Sequence, residues 1–101
     1  MKPFPDTFGF GRVICYSPLD ERHTFTGGCR QIVAGQLLGP MAGLVICRQP
    51  EDGGFYLFGC DDDWSIACDT WHETLNDALQ QAEFEYVGVA LTWTYLNAVP
   101  Q

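Results

Sequence analysis

The chain has 101 residues, 47% hydrophobic and only 18% charged, with a formal net charge of −8. One domain with one core fits that length, and the apolar share lets burial offset the entropy of ordering, so a compact fold is expected. Acidity of this degree argues against nucleic acid or anionic membrane as a partner, because a surface of that sign repels phosphate.

The charge is unevenly placed. Residues 1–48 hold Lys2, Arg12, Arg22, Arg30 and Arg48 against Asp6, Asp20 and Glu21, whereas residues 49–101 hold ten acids and no Lys or Arg. Such a half suits a basic protein partner, and it also serves plain solubility.

The opening MKPFPDTFGFGR has two prolines and an aspartate where a secretory signal needs an apolar core. No stretch reaches the roughly 18 apolar residues of a spanning helix, and the chain reads as cytoplasmic. FGFGRVICYS (8–17) reads as a strand with glycine-permitted bends, and residues 18–30 as a polar loop. RQIVAGQLLG (30–39) fits a strand better than a short helix.

AGLVICRQ (42–49) and GFYLFGC (54–60) are branched and aromatic runs joined by Pro50-Glu51-Asp52-Gly53, a hairpin signal. After Asp61-Asp62-Asp63, Trp64, Ile66 and Cys68 alternate with Ser65, Ala67 and Asp69, which predicts another strand and a second hairpin. A helix follows at about 74–87, where Leu75, Ala78, Leu79, Ala82 and Tyr86 form one apolar stripe. Thr70 with Glu73 and Thr74 with Asp77 both fit a capping box; Thr74 adjoins the stripe and is preferred. Gly88 supplies a left-handed stop. VALTWTYL (89–96) alternates and reads as the closing strand, with Val89, Leu91, Trp93 and Tyr95 on one face. The expected fold is α+β, a single domain over 1–101: a meander of hairpins making an antiparallel sheet of about five or six strands, with the helix packed on one face.

The stretch GCDDDWSIACDTWH (59–72) concentrates the polar chemistry. Asp61, Asp62 and Asp63 suit a hairpin turn, where short carboxylates accept from nearby amides, and their mutual repulsion would also be relieved by a basic partner. The calcium-loop spacing of ligands is absent. Cys60, Cys68 and His72 are a conceivable zinc trio without the tight C-x-x-C knuckle, and Cys60 has the opposite strand parity to Phe55 and Leu57. A Cys–His nucleophilic pair could be drawn from Cys29 or Cys68 with His23 or His72, yet no elbow, metalloprotease helix or phosphate-binding loop supports an enzyme or a bound cofactor. The odd set Cys15, Cys29, Cys47, Cys60 and Cys68 reads as buried thiols rather than a disulfide framework. Trp64 and Trp93 fall on apolar parities and read as core. Trp71 sits beside His72 among Asp69, Glu73 and Asp77, either as a binding hot spot or as a staple over the helix start.

FYLFGCDDDWSIACDTWHETLNDALQQAEFEYVGV resembles a pattern of small uncharacterised bacterial proteins: an aromatic strand, C-D-x-D-W, D-T-W-H, a helix ending A-E-x-E-[FY], and a closing strand with tryptophan. The resemblance covers residues 54–93 and carries no catalytic signature. It implies the immunity-protein kind, which binds and silences a toxin of its own cell. The resulting expectation is an acidic inhibitor that meets a basic toxin or nuclease through Asp61, Asp62, Asp63, Asp69, Trp71, His72, Glu73 and Asp77. The alternatives are a small enzyme or metal protein using Cys60, Cys68 and His72, and a structural homodimer joined through strand edges or exposed aromatics.

Overall fold

The run Leu44–Cys47 is apolar on both strand parities, so a strand built from it must be covered on both sides. The computed structural model describes residues 1–27, 32–33, 36–37, 39–49, 51 and 53–96, with the backbone alone at 32–33 and 36–37. Along the chain come β1 (Arg12–Pro18), β2 (Thr24–Phe25), β3 (Ile32–Val33), β4 (Gln36–Leu37), β5 (Gly43–Arg48), β6 (Phe55–Cys60) and β7 (Ile66–His72). Helix α1 (Leu75–Glu85), β8 (Tyr86–Val87), a 3-10 turn over Val89–Leu91 and β9 (Thr94–Tyr95) complete it. Five strands form an antiparallel sheet in the order β7-β6-β5-β1-β9, and β2–β8 and β3–β4 form two-stranded pairs. The architecture is α+β, with β5 at the centre and β7 and β9 at the edges.

One face of the sheet is covered by α1. Its stripe of Leu75, Ala78, Leu79, Ala82 and Tyr86 packs on Ile14, Leu44, Ile46, Phe55 and Leu57, and the small Ala78 and Ala82 are wholly buried. Thr74 caps the helix as expected, its hydroxyl accepting from the Asp77 amide at 3.1 Å. The helix ends at Glu85, short of the expected Val87, because Tyr86 and Val87 pair with Phe25 and Thr24. Of the expected loop 18–30, residues 18–27 are therefore more than a loop, and 28–30 lie outside the described residues: Thr26 also bonds the last helical turn, its hydroxyl to the Phe84 carbonyl and its amide to that of Glu85.

The other face is covered by residues 1–11, an aromatic strap. Phe4 stacks on Tyr16 with ring centroids 4.1 Å apart, and Phe10 packs edge-on against Phe58 at 4.8 Å. Beneath the strap lie Val45, Cys47, Phe58, Cys60 and Trp64. Burying each phenylalanine contributes up to about 1.5–3 kcal/mol. The strand expected from Phe8 starts only at Arg12: Phe8 and Phe10 serve the strap, and Gly11 (φ +63°) turns the chain into β1 against the Arg48 carbonyl.

The β5–β6 hairpin forms as expected. Gly53 takes φ +70° and donates to the Gln49 carbonyl at 3.0 Å, while Pro50 and Asp52 of its turn lie outside the described residues. Residues 30–39 yield two short strands, Ile32–Val33 and Gln36–Leu37, paired with each other. In β1 a register shift between Val13 and Cys15 lets the adjacent Ile14 and Cys15 join the same core. Another shift lies opposite Gly59 and Cys60 in β7 and overturns the expected alternation of Trp64, Ile66 and Cys68. Trp64 precedes the strand and packs under the strap, Ile66 is 45% exposed, and Cys68 lies on the helix side with Leu57 and Thr70.

The closing strand is also shorter than expected. Gly88 (φ +104°) leads into the 3-10 turn, and the Glu83 carboxylate accepts from the amides of Gly88 (2.9 Å) and Ala90 (3.0 Å). That side chain takes donors a strand would have placed in a ladder, so Leu91 is left 91% exposed and only Thr94–Tyr95 pairs with β1. Trp93 is half-buried against the helix-side core.

Thr74→Ala should lower the urea-denaturation stability by about 1 kcal/mol. Gly88→Ala should cost more, because a Cβ there meets the Arg22 carbonyl oxygen at 2.7 Å in a left-handed conformation.

Candidate functional site

The acidic turn between β6 and β7 is built by its own carboxylates. The Asp61 amide donates to the Ser65 carbonyl and the Trp64 amide to the Asp61 carbonyl, at 3.0 and 3.1 Å. Asp61 Oδ1 and Asp63 Oδ1 both accept from the Ser65 amide at 3.0 Å. This tight turn sets Trp64 at φ +67°, and its indole N–H donates to the Lys2 carbonyl at 2.8 Å. The turn therefore also fastens the strap. The oxygens of Asp61, Asp62 and Asp63 lie within 4.8 Å of one another, all exposed. The Asp61–Asp63 hydrogen bond holds the Asp61 carboxyl above its ordinary range and, with the Ser65 bonds, pushes Asp63 down to about 2. Lys2 adds to the lowering of Asp63.

The remaining site residues follow β7 toward the helix. Asp69 pairs with Phe58 and Trp71 with Tyr56, on the strap side of the sheet. Trp71 is 50% exposed, and its indole lies over Gly54, where a Cβ would collide with it. It packs on the β5–β6 hairpin end rather than stapling the helix start. His72 turns to the other side opposite Phe55, with its Nε2 2.7 Å from the Thr70 hydroxyl. Burial holds its imidazole below the usual range, against a smaller opposing pull from Asp77. Glu73 and Asp77 are exposed at the helix start. The eight residues thus form a line along one sheet edge, about 20 Å between the ends of the strand, and not a single cluster.

Lys2 acts on Asp63 from a distance without pairing with it. Among the described residues, Asp61, Asp62, Asp63, Asp69, Glu73 and Asp77 enter no ion pair with Lys or Arg. Arg22 is committed to Asp20 at 2.9 Å, and the Arg48 guanidinium lies 5.6 Å from the centre of the Phe55 ring. Arg30 lies outside the described residues.

Cys60, Cys68 and His72 are not brought together. Cys60 belongs to the strap-side core, while Cys68 and His72 occupy the helix side. Among the described residues, only Asp61, Asp62 and Asp63 form a His/Cys/Asp/Glu triple with ligand atoms in mutual reach. Cys15, Cys47 and Cys60 are reduced, and burial pushes each thiol up to about 12, which keeps them protonated. Cys29 lies outside the described residues.

Two features escaped the sequence. The first is a chain of polar side chains pinning the 3-10 turn. Ser17 Oγ lies 2.7 Å from Thr92 Oγ1, which lies 2.8 Å from His23 Nε2, and His23 Nδ1 accepts from the Asp20 amide at 3.0 Å. Because Nδ1 accepts, the neutral ring carries its proton on Nε2 and donates to Thr92. It is therefore not poised to take a proton from that hydroxyl. The signal was weak, since Thr92 lies 75 residues from Ser17 and 69 from His23.

The second is a small cleft of about 20 Å³ on the helix side, beside β7. Phe25, Met41, Leu57 and Tyr86 give it apolar walls, and Cys68, Thr70 and Glu85 give it polar groups. Glu85 Oε2 accepts from Gln81 at 2.9 Å, and burial raises the Glu85 carboxyl. No family model, curated protein or solved structure matches the chain, so its own residues carry the functional reading.

Carbon-detected NMR titration should show Asp63 titrating near pH 2 and Asp61 above the ordinary aspartate value, with Asp61→Asn abolishing the split. Glu85 is raised, so folding favours its protonated form, and stability falls as pH rises through the raised value. Glu85→Gln should accordingly raise the melting temperature at pH 7 and leave it little changed at pH 3.

Proposed function

We propose that the chain is an acidic protein-binding module, of the immunity-type inhibitor kind, that meets a basic partner along β7 and the start of α1. The observation that carries this reading is the line of Asp61, Asp62, Asp63, Asp69, Glu73 and Asp77, unpaired with any Lys or Arg among the described residues and with the half-exposed Trp71 within it. Exposed carboxylates steer a cationic surface into encounter, and a large aromatic beside them supplies apolar area once the water is gone. A nuclease toxin suits this chemistry because its active site is shaped to hold phosphate, which carboxylates can mimic. The cytoplasm suits it too, since reduced thiols persist there. No helix among the described residues is long and apolar enough to cross a membrane.

Capture from the native lysate at low salt, with bound proteins identified by mass spectrometry, should yield a basic partner. The triple change Asp61→Asn, Asp62→Asn and Asp63→Asn should slow association roughly tenfold or more at low salt and flatten its salt dependence. Unchanged association rates would sink the reading.

A further inference from the structure

We infer that the chain pairs with a second copy of itself along the outer edge of β9, the two Tyr95 residues facing each other about a two-fold axis, so that the five-stranded sheets of both copies join into one. The inference goes beyond the acidic-module reading and stands on other residues.

Strand β9 is the sheet edge opposite β7, and its outward backbone groups are open. The Leu96 amide donates to the Ile14 carbonyl at 2.9 Å, while Tyr95 lies opposite Cys15 and Thr94 opposite Tyr16. The groups that face a neighbour alternate along an antiparallel strand. Thr94 and Leu96 therefore turn their amides and carbonyls to β1, and Tyr95 turns both of its own outward. Among the described residues, no hydrogen bond outside the β1–β9 ladder involves Tyr95. A donor and an acceptor that point outward from one residue are self-complementary, because two antiparallel copies of that residue exchange both bonds. Nothing in the sequence here refuses another strand: VALTWTYL (89–96) has no charge, proline or glycine and is rich in branched and aromatic residues.

Charge selects the occupant. Two chains of net charge −8 repel, so they meet at least cost where neither presents an acid. Residues 86–101 contain no Asp, Glu, Lys or Arg, whereas β7 carries Asp69 at its centre, which a two-fold pairing would set against its own image. The acids that precede this segment are engaged locally, Glu83 with the Gly88 and Ala90 amides and Glu85 with Gln81. An edge without charge gives a basic partner no electrostatic hold and a second copy no electrostatic penalty.

Side chains complete the match. With Tyr95 on the axis, Thr94 of each copy stands opposite Leu96 of the other. Tyr95 lies on the helix side with Cys15 and Thr94 on the strap side with Tyr16, and both Tyr95 and Leu96 are about half exposed. The two tyrosine rings thus meet on one face, and the two leucines gain cover on the other. So short a join buries less than the roughly 1,200 Å² of a stable interface, and the dimer should dissociate at about 10–100 μM. The acidic edges then lie at the two ends of the joined sheet, about 40 Å apart, and each dimer presents both.

Sedimentation of the full chain should show a monomer–dimer equilibrium in that concentration range. Added salt should tighten it by screening the repulsion between copies, opposite to its effect on a basic partner. Hydrogen exchange of the Tyr95 amide should slow as protein concentration rises through the same range. Tyr95→Lys and Tyr95→Asp should each weaken the dimer about tenfold or more, and an equimolar mixture of the two should restore it, because Lys then faces Asp across the axis. Restoration separates a lost contact from a lost fold. A chain that remains monomeric at about 1 mM overturns the inference. So does a dimer that persists in both variants, one that fails to recover in the mixture, or one that protects β7 amides in place of Tyr95. The acidic-module reading survives each of these results and falls only if Asp61–Asp63 prove dispensable for partner capture.

Discussion

Covering a central strand that is apolar on both sides is the constraint from which the rest of this molecule follows. Leu44 and Ile46 point to the helix, Val45 and Cys47 to the strap, and all four are essentially excluded from water. A sheet in a chain of this size has one helix to spend, so the other face must be sealed by something else. The phenylalanines of residues 1–11 do this, held by the Trp64 indole and by the Lys2 amide, which bonds the Asp62 carbonyl at 3.0 Å. Cover is then thickest over β5 and thins toward the margins, which is where the half-exposed Trp71 and the acids lie.

The topology also explains why charge collects on one side. Strands β6 and β7 and helix α1 are consecutive in sequence and occupy one flank of the sheet, so the acids of residues 61–77 share that flank. The basic residues Arg12 and Arg22 belong to the earlier part of the chain; Arg12 lies in β1, on the far side of β5 from β6, and Arg22 spends its charge locally on Asp20, which is pushed down to about 2. An uneven composition along the sequence becomes an uneven surface because the meander keeps neighbours in sequence as neighbours in space.

What could be read in the sequence is what local rules decide. The β5–β6 hairpin was announced by branched residues around Gly53, the second hairpin by the aspartates, and the helix by its stripe and Thr74. Bulges escaped because one inserted residue breaks the period of two on which strand reading depends, as Ile66 and Cys68 show. The last strand escaped because Glu83, several residues earlier, takes the Gly88 and Ala90 amides, a competition invisible to any pattern within Val89–Leu96. For the site, residue types were legible and geometry was not. The spread of the acids along an edge, the separation of Cys60 from Cys68, and the cleft at Glu85 depend on register and on contacts distant in sequence.

The strap carries a kinetic consequence. Its phenylalanines leave the ribosome before the surface that shelters them, which includes Tyr16, Phe58 and Trp64 and is finished only when the second hairpin has been made. Through that interval the nascent chain carries an oily segment with nowhere to settle, followed by most of its positive charges, before any of the later acids have been added. Aggregation risk should therefore be greatest between synthesis of the strap and of the second hairpin, and should fall once the acidic turn closes over the strap.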